Sequence, residues 1–151
     1  MSERRHIGIW FVAAYFFAKA ALIAVKAATA FFSPSEAPKA LATIREILPL
    51  IRRLDLGPNL SLIVALAFVL FGIVVGVCVL RHQKWAAGYI VVYHGIALLW
   101  FLAVGLVLKT IGFDSAPSML SSPYGKVEVL ASLLMVVYLF QPDVRRSFGF
   151  S

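Results

Sequence analysis

Charge and cysteine are both scarce in this sequence. Charged residues make up 14% of the 151 positions, against 62% apolar, with a mean hydropathy of +0.92. Soluble domains hold about 25% charged and 45–50% apolar residues, so this balance lies far outside the soluble range. The single cysteine, Cys78, rules out an internal disulfide or a CxxC pair. Deep in an apolar run, it reads as a small hydrophobe. Glycine-rich phosphate or dinucleotide motifs are lacking, as is any nucleophile arrangement. His6 and His82 lie near run ends and His94 stands apart, so no metal-ligand spacing is present and no cofactor is expected. No stretch is long enough for a separate folded domain beside the apolar runs, which gives one domain.

What the chain does have is four long apolar runs, at residues 7–32, 60–80, 85–108 and 123–140. About 20 helical residues cross roughly 30 Å of hydrocarbon. The first three runs exceed that, and the fourth reaches about 27 Å at 1.5 Å per residue. The expected fold is an all-α membrane protein with four transmembrane helices. A cleavable signal peptide is the alternative for the first run, but such apolar regions span about 7–15 residues, well short of 7–32.

The connector 39–56 has a helical period. Leu41, Ile44, Leu48 and Ile51 fall on one face, while Arg45, Glu46, Arg52, Arg53 and Asp55 are polar. Pro49 predicts a break into two short pieces. A segment too charged to span yet apolar on one face is expected in the membrane interface. The alternative is a connector folded over the bundle.

The net charge of +7 sits at the run ends, where it suits headgroups and topology rather than nucleic acid. Arg4, Arg5, Arg81, Lys84, Arg145 and Arg146 gather on one side, and Lys39, Arg45, Arg52, Arg53, Lys109 and Lys126 on the other. The two counts are equal. The first group hugs the run ends and holds the tight bend 81–84, which predicts both termini in the cytoplasm.

Within the runs, Gly72 and Gly76 form a GxxxG pair, and Ala20, Ala24 and Ala28 repeat small residues at the same spacing. Such spacing lets helix backbones approach closely. Lys19 and Lys26 share one face of the first run, Tyr93 and His94 lie in the third, and Glu128 is the acidic group of the fourth. Intramembrane ionisable residues face protein or water and mark function or pairing. Lys26 and Glu128 approach the same membrane side with opposite charge, so a pairing between the first and fourth runs is expected. Tyr15, Tyr89, Tyr93 and His94 are expected to form a polar pocket or to satisfy one another.

The order of these features resembles a family of small, uncharacterised bacterial integral membrane proteins with four spans. The matching pieces are IRRLDLGP at 51–58 and GVCVLRHQKWAA at 76–87. They correspond to a charged connector after the first span and a basic bend before Trp-Ala. The resemblance implies a fold class and a bacterial inner-membrane location, but no active residues. An acidic residue after Trp85 is missing here.

The function expected from these features is a noncatalytic accessory or assembly subunit of a larger membrane complex. The alternatives are an oligomeric transporter of ions or small molecules using the Lys19–Lys26 face, and a lipid-interacting membrane enzyme. The lipid bilayer, a larger complex and a second copy of the chain are the expected partners.

Overall fold

The computed structural model describes residues 3–48, 56–110 and 123–149, with side chains over 7–48, 56–99 and 123–149. Among these residues are helices α1 (Glu3–Phe32), α2 (Ala37–Ile47), α3 (Pro58–Leu80), α4 (Lys84–Thr110), α5 (Pro123–Phe140) and α6 (Pro142–Ser147), and no strand. The all-helical expectation holds. Ile7–Phe32 of α1, together with α3 and α5, gives three helices long and apolar enough to cross a membrane. Their outward faces carry large apolar side chains more than half exposed, among them Phe11, Ile63, Leu70 and Leu134. Apolar surface of that extent suits lipid rather than water. The run expected at 85–108 is covered by α4, which is 27 residues long. The break expected at Pro49 lies outside the described residues, and so does the loop that Gly112, Pro117 and the serines of 110–122 suggest, apart from Thr110, which is the last residue of α4.

The chain divides into two compact units, Trp10–Leu80 on one hand and Met1–Ile9 with Arg81–Ser151 on the other.

In the first unit, α1 buries Val12, Ala13, Phe16, Ala20, Ile23 and Ala27, a three-and-four spacing that makes one stripe. Pro34 stops the helix, since it offers no N–H and holds Ser33 out of the helical region. The Ser33 carbonyl then accepts from the N–H groups of Glu36 and Ala37, at 2.9 and 3.0 Å. Pro38 sits in the first turn of α2, where a missing N–H costs nothing. The buried residues of α2 are Ala40, Ile44 and Ile47, and Leu41 and Leu48 of the expected face pack in one cluster with Ile44 and Ile47. The helix packs on Ile23 and Ala27 of α1 and Ala65 of α3.

Helix α3 starts with Pro58 immediately after Gly57. The Ser61 hydroxyl donates backwards to the Leu56 carbonyl at 3.0 Å, and Arg45 Nη2 donates to the same oxygen at 2.9 Å. One carbonyl thereby ties α2 to the head of α3.

In the second unit, α4 buries Ala86, Ala87, Ile90 and His94, while α5 buries Gly125, Ser132, Met135 and Leu139. His94 meets Ser132, while Ala87 and Leu139 share one cleft, so the two helices run antiparallel. After the fourth run the sequence suggests a short aromatic tail at Phe148 and Phe150, but Pro142 starts the short α6, which buries Val144, and Phe148 directly after it is buried as well. Gly149 ends it at φ +72°, the left-handed position that glycine fills without strain.

Candidate functional site

Helices α4 and α5 place the polar residues of the second unit at their seam. Their apolar spacing turns one face of each toward the other, and His94 and Ser132 stand on those faces. His94 Nδ1 and Ser132 Oγ are 2.7 Å apart, and each residue is only 1% exposed. Which atom donates follows from the histidine tautomer. A serine hydroxyl on an imidazole is the first half of a nucleophilic pair. Burial decides against that use here, because no substrate atom reaches an Oγ closed between two helices. The pair is a polar link that joins α4 to α5.

Tyr93 stands beside this link. Its ring meets the His94 ring edge to face at 5.1 Å and stacks on Tyr89 at 5.5 Å. Glu128 lies one helical turn before Ser132 on α5 and acts electrostatically on both tyrosines. The structure thus gathers Tyr89, Tyr93, His94, Ser132 and Glu128 along one helix pair. Tyr15, expected in the same pocket, belongs to the other unit. So does Lys26, and its expected pairing with Glu128 stays a proposal.

Lys19 and Lys26 lie on the flank of the α1 stripe, each next to a buried alanine (Ala20 and Ala27), and both are partly buried. Lys19 Nζ donates to the Tyr15 hydroxyl at 3.4 Å and sits 5.6 Å from that ring's centre. Within its unit, Lys26 makes no hydrogen bond or ion pair among the described residues.

The small residues of α1 and α3 have unequal neighbours. A Cβ at Gly72 would lie 3.5 Å from the Ala20 methyl, an ordinary contact. A Cβ at Gly76 would come within 2.7 Å of the Phe17 ring. Ala24 is partly buried and Ala28 exposed, so the alanine series leaves the buried stripe toward the end of α1. Gly8 shows the same device in the second unit, where the Tyr138 ring fills the space a side chain would take.

Sequence reasoning missed two features. Ser132, the one serine in the run 123–140, was the available signal for the seam. A cleft of about 240 Å³ also opens between α4, the end of α5 and α6. Ala87, Gly88, Val91 and Val92 form one wall, Leu139 and Phe140 the other, and Phe148 and Arg145 complete it. Among the described residues no group of three His, Cys, Asp or Glu side chains is placed to hold a metal ion.

Compared with protein-family models, curated proteins and solved structures, the chain matches none. The layout resemblance therefore rests on the residues of its two motifs alone.

Proposed function

We propose that the protein is a noncatalytic accessory or assembly subunit of a larger complex in the bacterial inner membrane. Lys26 carries the reading. It is a partly buried ammonium inside a candidate span, without a hydrogen-bond or ion-pair partner among the described residues of its own unit. Scales for membrane insertion charge about 2.5–3.5 kcal/mol for a lysine at a helix centre. A carboxylate supplied across a helix–helix interface offsets that cost. Lys19 stands seven residues earlier on the same flank, which extends the face available to a partner. The polar groups of α4 and α5 favour the same reading from the other direction, since the buried His94–Ser132 pair is spent on holding the fold. In this arrangement α4 is the fourth span, α2 lies at the outer interface with its apolar face on the bundle, and both termini are cytoplasmic.

The test is purification of the tagged full chain from its native membrane in mild detergent, followed by mass analysis. The expected result is a larger assembly of fixed stoichiometry. Lys26→Met should lose it, and Lys39→Met, at an exposed position, should keep it. A homo-oligomer that moves ions across liposomes in a Lys26-dependent manner would overturn the proposal and assign transport.

A further inference from the structure

We infer that the cleft between α4, α5 and α6 holds one acyl chain of an anionic phospholipid, with the lipid phosphate against Arg145. This goes beyond the accessory reading and needs only that α5 crosses the bilayer.

Three observations carry it. The first is position. Phe140, the last residue of a candidate span, lines the cleft together with Arg145, five residues further on. The cleft thus runs from the end of a hydrocarbon-length helix to a guanidinium, the same order in which a phospholipid presents acyl chain and then phosphate. The second is chemistry. Apart from Arg145, every lining residue is alanine, glycine, valine, leucine or phenylalanine. Arg146 and Lys84 add positive charge nearby, the latter lying against Gly149, with Asp143 the acidic residue of α6. Basic sites at the ends of membrane helices select anionic headgroups, and a planar guanidinium grips phosphate with paired donors. The third is size. About 240 Å³ falls below the roughly 300–1,000 Å³ of a site enclosing a whole small molecule, so the cleft fits a segment of a long ligand.

Gly88 provides a clean way to close it. Gly88 lines the cleft, and a Cβ there meets nothing within 4 Å. A leucine at this helical position therefore starts into the space the acyl chain would use, its Cβ striking no protein atom, and leucine favours a helix over glycine.

The experiment is native mass spectrometry of the full chain from detergent, with phosphatidylglycerol or phosphatidylcholine added in turn. Wild type should retain phosphatidylglycerol preferentially. Arg145→Ala should cut that retention about fivefold and leave phosphatidylcholine unchanged, the effect expected for one basic group at a membrane surface. Gly88→Leu should abolish retention of both lipids while its thermal midpoint stays at or above that of wild type. Arg146→Ala, outside the lining, should have the smaller effect of the two arginines. Full phosphatidylglycerol retention in both Gly88→Leu and Arg145→Ala overturns the proposal. So does loss of a dimer, rather than of lipid, in Gly88→Leu, which would assign the cleft to a second copy of the chain. Failure of the accessory reading would show only in the complex recovered from native membrane, so the two outcomes stay separate.

Discussion

The two units of this protein handle polarity in opposite ways. Between α1, α2 and α3, the interior is aliphatic, with Ile23, Ala27, Ile44, Ile47 and Ala65 in one cluster. Its interior polar bonds sit at the α2–α3 end, where Arg45 and Ser61 share the Leu56 carbonyl. The lysines of α1 are on the flank of the buried stripe. Between α4 and α5 a histidine and a serine occupy the seam itself. A polar group at a seam finds its partner within the chain and serves as structure. Of the flank charges, Lys19 meets Tyr15 of its own helix, while Lys26 makes no hydrogen bond or ion pair among the described residues of its unit. That distinction, more than any residue type, separates the two kinds of polarity here.

The largest test of the contrast is truncation of the aliphatic core. Ile44 and Ile90 are both fully buried, one in each unit. Each Ile→Ala change should cost about 2–5 kcal/mol, the range for losing buried methyl groups and leaving a cavity. Equilibrium unfolding in mixed detergent, followed by circular dichroism, measures it. A cost for Ile44→Ala below about 1 kcal/mol would show that α2 is loosely held, and the picture of a packed aliphatic interior in the first unit would fail.

Next in size is a pair of glycine substitutions on α3. Gly76→Leu forces a branched side chain where even a Cβ falls 2.7 Å from the Phe17 ring, and overpacking of this kind costs about 1–3 kcal/mol. Gly72→Ala meets only ordinary contacts and should be neutral or slightly stabilising, since alanine is the better helix former. The same unfolding assay distinguishes them. Equal destabilisation by both would mean that the GxxxG pair acts as one backbone contact rather than as a ring pocket and a passive neighbour.

The seam should show a smaller effect. Interhelical hydrogen bonds in membrane proteins average about 0.6 kcal/mol and reach about 1.7. Ser132→Ala should fall toward the upper end, because it leaves a buried imidazole nitrogen without that partner. His94→Leu combined with Ser132→Ala should be less damaging than the sum of the single changes. Strict additivity in this double-mutant cycle would remove the argument that the pair is a structural link.

What was legible in the sequence follows the range over which each signal acts. The helices were legible because apolar runs and proline breaks are local, as at Pro34, and because Ile44 and Ile47 repeat with the helical period. The three spans needed only length and composition. The His94–Ser132 bond was hidden because it depends on the register of α4 against α5, over 38 residues of separation, which no local pattern encodes. Gly72, Gly76 and Gly88 are alike as letters, yet one faces a methyl group, one a phenyl ring and one open space. Phe148 read as part of a tail, since a helix as short as α6 has too few turns to announce its period. Its burial depends on packing outside its own segment.

The smallest effect belongs to Tyr15, and it bears on the meaning of the flank. Its hydroxyl accepts from Lys19 at 3.4 Å, long for a hydrogen bond between an ammonium and a phenol. Tyr15→Phe removes the oxygen but keeps an aromatic ring 5.6 Å from the ammonium, within the distance at which a cation is attracted to a ring face. The change should therefore cost no more than about 0.5 kcal/mol and leave the recovered complex intact. A Lys19→Met change should act on complex recovery more than on unfolding, because the charge faces the flank. If Tyr15→Phe instead costs more than about 1.5 kcal/mol, a value expected of a charged group deprived of its main bond, then Lys19 is held from within its own helix. The surface of α1 proposed to meet a partner would then contract to Lys26.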